Sequence, residues 1–115
     1  MREIKFRAWD KVNNNYYYNV QDIHDNIVAD SFGNILENEE FVVEQYTGMK
    51  DVNGVEIYEN DLVKVISQYW GQLGNVYKVE FHRGAFIARN SLYDMRESIN
   101  VIGNIHDKPE LLDGK

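Results

Sequence analysis

The densest grouping of chemically capable side chains is Asp22-Ile23-His24-Asp25, where two carboxylates flank an imidazole, with Asp30 close behind. On a strand, Asp22 and His24 would share a face and Asp25 would turn away. A transition-metal site asks for a second histidine or a thiolate at ligand spacing. His82 and His106 stand in unrelated contexts and the chain has no cysteine, so a solvated acidic loop is the ordinary account, and no metal or cofactor is expected. Asp61 is the other carboxylate of interest, following Glu59-Asn60 at a bend. It suits a turn in which a side chain accepts backbone N–H bonds, and only a cleft gathering it with the Asp22-His24 pair would give hydrolytic chemistry. The chain has no G-x-S-x-G, no phosphate loop and no paired histidines, so an enzyme is not expected.

Recognition is the richer reading. Trp9, Tyr16, Tyr17, Tyr18, Tyr69 and Trp70, with Lys5, Arg7, Lys64 and Arg89, are the ingredients of a stacking platform for single-stranded nucleic acid. Arg7, Trp9, Tyr16, Tyr17, Tyr18 and Lys64 would carry that function. Strands also take aromatics for packing alone, and this competes with the platform. A second surface is acidic. Between Val12 and Met49 there is no Lys or Arg, while Asp22, Asp25, Asp30, Glu37, Glu39, Glu40 and Glu44 supply seven carboxylates. The rest of the chain carries twelve acids against twelve bases, so the whole net charge of −7 sits in this one segment. That balance disfavours a general polyanion binder. It suits steering toward a basic protein partner, with Glu37, Glu39, Glu40 and Glu44 as the charged contacts and Tyr69 and Trp70 as the aromatic ones.

The elements that would position these groups are mostly strands. Ile4, Phe6 and Ala8 alternate with Lys5, Arg7 and Trp9, a half-buried strand with a basic and aromatic outer face. A polar turn from Asp10 to Asn15 leads to the strand Tyr16-Tyr17-Tyr18, giving a first hairpin. Gln21 to Glu40 is an acidic elaboration in which Ile23, Ile27, Val28 and Phe32-Gly33-Asn34-Ile35-Leu36 suggest short strands about a Gly33-Asn34 turn. Phe41 to Tyr46 is β-branched and aromatic, and feeds a hairpin about Asn53-Gly54, a pair that accepts positive φ. Leu62 to Ile66 is the next strand. Ser67 to Asn75, with Gly71, Gly74 and two aromatics, suits a mobile loop. Val76 to Phe81 and Ala85 to Arg89 form a hairpin about His82-Arg83-Gly84. Ser91 to Ser98 is a helical turn capped by Asn90 or Ser91, Asn100 to Ile105 a closing strand, and Lys108 to Leu112 a tail or short helix opened by Pro109.

Short strands, close turns, one proline and little amphipathic helix predict a mainly β protein, a small antiparallel barrel or sandwich. With 115 residues it is read as a single domain over 1–115, carrying an acidic elaboration at about 21–40. The alternating start, MREIKFRAWD, is neither a signal peptide nor a membrane span, and the lack of cysteine agrees with a reducing cytoplasm. Edge strands and exposed aromatics are compatible with self-association.

Three stretches together carry a family resemblance: Ile4-Lys5-Phe6-Arg7-Ala8-Trp9-Asp10, the long middle run from Gln45 to Asp61 (QYTGMKDVNGVEIYEND), and Val101-Ile102-Gly103-Asn104-Ile105-His106. In this order they resemble the YopX family of phage and prophage proteins. The resemblance implies an SH3-like β-barrel and a phage or prophage origin in a bacterial cytoplasm; the acidic segment and the exposed aromatics are what make a host or phage protein the expected partner. It implies no activity and brings no functional residues to carry over. One departure stands out: Asn60 occupies the place where such motifs have glycine before the aspartate. Should that position need positive φ, Asn is the next most tolerant residue.

Overall fold

The computed structural model describes residues 3–22 and 32–114. It is mainly β, built of antiparallel sheets, one of them curled into half a barrel. Ile23, His24, Asp25, Ile27, Val28 and Asp30 lie outside the described residues. The chain divides into two compact units, Met1–Tyr46 and Thr47–Lys115.

In the first unit β1 (Phe6–Asp10) pairs on one side with β2 (Asn15–Tyr18) and on the other with the start of β3 (Phe41–Lys50). The first hairpin is therefore as expected, and its turn is held by Asp10, whose Oδ1 accepts the backbone N–H groups of Val12 (2.9 Å) and Asn13 (3.1 Å). One face of β1 packs Ala8 with Val20 and Ile35, flanked by Phe6, Tyr17, Phe32, Phe41 and Val43. The other face carries Arg7 and Trp9, and both are buried. The expected outer face is thus an interior one, because Tyr16 on β2 and Glu44 on β3 stand across from Trp9 and Arg7 and their side chains pack on them.

The segment Phe32–Glu37 is a helix, α1, not the pair of short strands expected about Gly33-Asn34. Phe32 and Ile35 are three apart, which places both on one helical face toward the small core. With only Phe32, Ile35 and Leu36 apolar in so short a segment, this period is hard to tell from a strand's.

The second unit begins with the end of β3, which pairs with β4 (Glu56–Tyr58) around the Asn53-Gly54 turn. Asp51 organises that turn. Its Oδ1 accepts from the backbone N–H of Asn53 (2.8 Å) and Val55 (2.9 Å), and its Oδ2 from that of Val101 (2.8 Å). Then come β5 (Asp61–Val65), β6 (Val76–Lys78), β7 (Glu80–His82), β8 (Ala85–Ala88), β9 (Asn90–Ser91), α2 (Leu92–Met95), β10 (Ile99–Asn104) and α3 (Glu110–Gly114). They form two three-stranded sheets, ordered β10-β5-β6 and β7-β8-β9. The single strand expected from Val76 to Phe81 is split at Val79, whose N–H and C=O bond to Asp61 and Asn60. Ser91 takes the N-cap position of α2 but makes no side-chain cap bond.

The core of this unit gathers Ile57, Val63, Val65, Val79, Phe86, Leu92, Met95 and Ile99. Full burial of such side chains stabilises by roughly 1.5–3 kcal/mol each. Asn60 has φ 69°, so the position does need the left-handed conformation and Asn supplies it. Among the described residues no helix is long and apolar enough to cross a membrane.

Candidate functional site

The most unusual surface feature is the β5–β6 connection. Gln72 N–H donates to Tyr69 C=O at 2.9 Å, and the two residues between, Trp70 (φ 49°) and Gly71 (φ 73°), are both left-handed. This is a type I′ turn. A second turn follows at once, with Asn75 N–H on Gln72 C=O at 2.9 Å and Gly74 at φ 90°, which fits type II. Bonds from Gly74 N–H to Val65 C=O (2.8 Å) and from Val65 N–H to Asn75 C=O (2.9 Å) tie the base of the loop to its strand. The expected loop is built as a pair of hydrogen-bonded turns, which the glycine spacing permits.

Tyr69 is half-buried and packs against the core, fixing the loop from below. Trp70 is 85% exposed. A left-handed conformation costs a side-chain-bearing residue on the order of 1 kcal/mol, and an indole left in water forgoes a large burial gain. Gln72 Nε2 donates to Asn90 Oδ1 at 3.1 Å, joining this loop to the tight β8–β9 turn. There Arg89 alone separates the paired Ala88 and Asn90, at φ 81°. Two side chains held in the left-handed region, Trp70 and Arg89, therefore stand on turns linked by one side-chain bond. Such positions cluster where proteins bind ligands.

Beside the loop is a groove of about 190 Å³, lined by Gly74, Asn75, Val76, Tyr77, Leu111 and Leu112. Asn75 Nδ2 donates to the Tyr77 hydroxyl at 2.9 Å on its rim. The run from Val65 to Tyr77 contains no Asp, Glu, Lys, Arg or His, although 27% of the chain is charged. What the arrangement offers is an aromatic plate, a neutral rim and a cation in Arg89. That is equipment for recognition.

The remaining candidates are scattered by the fold. Glu37, Glu39 and Glu40 are exposed at the end of α1 and in the turn after it. Glu44 is a correction: it is fully buried, with Oε1 accepting from Arg7 Nε at 2.7 Å and from the Tyr16 hydroxyl at 3.0 Å, so it offers no surface charge. Arg7 and Trp9 are corrections too. The Arg7 guanidinium lies 4.1 Å from the centre of the Tyr16 ring, and that ring meets Trp9 edge-on at 4.9 Å. Tyr16 is half-buried in this stack, and Tyr17 packs edge-on against Phe41 in the unit's core. Tyr18 and Lys64 are exposed. A stacking platform built on Arg7 and Trp9 is therefore not presented to solvent.

Asp61 is buried, and its Oδ2 accepts from Tyr58 N–H at 2.8 Å, the turn-holding role its position suggested. Asp22 is exposed, with its carboxylate bonded to Gln21 Nε2 at 3.3 Å. Among the described residues no three His, Asp or Glu side chains gather as a metal site. Sequence reasoning passed over Gln72, gave Asn90 only a capping role and gave Arg89 no role in this site. Only the Gly71 and Gly74 spacing hinted that Trp70 stands on a built turn, and nothing local links Gln72 to Asn90.

The molecule is thus a small antiparallel β protein whose most prominent surface element is an aromatic turn. The family model for the YopX protein matches residues 5–113, and the chain belongs to that family. It is also similar to a solved structure, protein EF1440 from Enterococcus faecalis, with 26% identity, a TM-score of 0.69, and coverage of 97% of this chain and 99% of the other. No curated protein matches the sequence.

Proposed function

We propose that this chain is a non-catalytic binding module for a protein partner, acting in the bacterial cytoplasm as a phage or prophage accessory protein. The observation that carries the reading is Trp70, 85% exposed and fixed in a left-handed turn. Exposed Trp is the residue most enriched among the hot spots of protein interfaces, together with Tyr and Arg. The turn pre-organises it, which lowers the entropy lost on docking. Glu37, Glu39 and Glu40 add a surface that steers a basic partner and raises the on-rate. The phage setting rests on the family resemblance. The nucleic-acid alternative loses support from the burial of Arg7 and Trp9, although Tyr18 and Lys64 remain accessible.

The test is capture of a partner by tagged protein from nuclease-treated lysate, beside Trp70→Ala and a triple Glu37, Glu39, Glu40→Gln variant. Capture that survives nuclease and is lost with Trp70→Ala supports the reading. Capture abolished by nuclease and untouched by Trp70→Ala moves the search to the tyrosine strand.

A further inference from the structure

Of the thirteen asparagines in the chain, Asn53 alone is followed by glycine, in the turn between β3 and β4. This pair can react as well as bend. A backbone nitrogen that follows an asparagine can attack the side-chain carbonyl and close a five-membered ring, and a side chain on the attacking residue crowds that approach. Gly54 has none, and beyond its chain neighbours no heavy atom lies within 4 Å of where a Cβ would stand. Asn53 is exposed, and among the described residues its carboxamide has no hydrogen-bond partner. Water and hydroxide therefore reach both reacting groups.

The closed turn withholds the reaction. Gly54 N–H donates to Asp51 C=O at 3.0 Å, which engages the attacking nitrogen with backbone. Asp51 Oδ1 accepts the N–H groups on either side of it, from Asn53 at 2.8 Å and from Val55 at 2.9 Å. Its Oδ2 accepts from Val101 N–H at 2.8 Å, so the carboxylate is committed to holding backbone and is not the base that removes the Gly54 proton. We propose that Asn53 is a site of spontaneous deamidation, and that Asp51 sets its rate by holding the turn closed.

When the turn opens locally, hydroxide takes the Gly54 amide proton and the nitrogen attacks Asn53 Cγ. The bond from Cγ to the side-chain nitrogen breaks, that nitrogen takes a proton from water and leaves as ammonia, and a cyclic imide remains. Water then adds to either ring carbonyl. Addition at Cγ gives aspartate, and addition at the main-chain carbonyl gives isoaspartate, in which the backbone runs through Cβ and Cγ. The balance is one water in and one ammonia out, with no oxidant or cofactor. Either product places a second carboxylate two residues from Asp51, and the isoaspartyl form lengthens the turn by one carbon, so the turn recloses less well than before.

The experiment is incubation of the full chain at mildly alkaline pH and body temperature, folded and in denaturing guanidinium, with peptide mapping by mass to follow Asn53. Asn90, which precedes Ser91, is read in the same digest as the internal reference for unfolding of the whole unit. Folded wild type should convert Asn53 at least about tenfold more slowly than the guanidinium sample, the worth of one hydrogen bond to a charged group in the opening equilibrium. Folded Asp51→Ala should recover most of that gap at Asn53 and leave Asn90 at its wild-type rate. Where Asn90 accelerates too, that variant has unfolded as a whole, and Asp51→Asn, which keeps a neutral acceptor, replaces it with an Asn53 rate expected between those of folded and denatured wild type. Conversion in folded wild type as fast as in guanidinium overturns the proposal, as does a folded Asp51 variant that is no faster than wild type, or an Asn53 that stays intact in guanidinium.

Discussion

Two residues of this chain stand where their chemistry is out of place, and the fold treats them oppositely. Glu44 is a carboxylate in the interior, and the first unit surrounds it with an arginine at 2.7 Å and a tyrosine hydroxyl at 3.0 Å. Trp70 is a large apolar side chain held in water by two hydrogen-bonded turns in the second unit. The first misfit is compensated internally, as a buried charge must be. The second is maintained by backbone geometry, and a bound partner is the compensation proposed for it. A compensated misfit serves the fold, whereas an uncompensated one points to a function that the free monomer does not complete.

If that contrast holds, removing Glu44 should be the most damaging change of all. Glu44→Ala leaves the Arg7 guanidinium buried without this carboxylate, and such losses cost about 3–5 kcal/mol. Urea denaturation should show the midpoint falling accordingly. Replacing the pair together, Arg7→Met with Glu44→Leu, should recover most of the loss, since neither charge is then stranded. A mild effect of Glu44→Ala alone would break the comparison from its buried side.

Asp51 comes next, a carboxylate that serves backbone in place of a side-chain charge. Asp51→Ala removes the acceptor for three N–H groups, those of Asn53, Val55 and Val101. A loss of about 2–3 kcal/mol is expected, since hydrogen bonds to charged groups are worth about 1.5–3 kcal/mol and the freed donors reach water only in part. Faster hydrogen exchange at Val101 than elsewhere in β10 would show that the bond across to β10 has opened.

How much of this could be read from the residues follows the same division. The hairpins about Asn53-Gly54 and Arg83-Gly84 were legible because glycine, and after it asparagine, takes positive φ most readily; Gly54 and Gly84 have φ 84° and 83°. Asn60 was legible for the same reason, and so was the turn-holding part of Asp61. The burial of Arg7, Trp9 and Glu44 was not, because alternation tells which side chains share a face and not whether that face meets water. It depends on β1 lying between β2 and β3, a long-range fact. The α1 helix was missed because its apolar run is too short to distinguish the two periods. Trp70 could be named from its type and its glycines, but its conformation and the Gln72–Asn90 link required the fold.

The exposed side of the comparison predicts a smaller effect, of opposite sign. Trp70→Asn keeps a residue that tolerates the left-handed region and removes an indole that packs little on its own chain. Stability should hold or rise by about 0.5 kcal/mol, while partner capture is lost. A melting temperature that drops by several degrees would mean that Trp70 packs against its own chain after all, and the contrast with Glu44 would collapse.

The smallest effect belongs to Asp10, a carboxylate intermediate between the two cases, since it is buried yet bonded to its own turn. The Asn13 side chain, whose Nδ2 donates to Oδ2 at 2.8 Å, does most to hold its pKa below the ordinary value. Desolvation opposes this, and the backbone N–H groups of Asn13 and Val12 assist it. The folded state therefore binds its proton less readily than the unfolded chain. The stabilisation is fully present above the ordinary carboxylate range and is lost as pH falls through the depressed value. Denaturation of wild type and Asp10→Asn at pH 7, 5 and 3 should show a gap that is constant between the first two and narrows at the last. A gap that stays constant down to pH 3 would mean that the turn's hydrogen bonds do not depend on the charge. Asp10 would then be a neutral turn-former, leaving Glu44 as the carboxylate whose charge the first unit is built to hold.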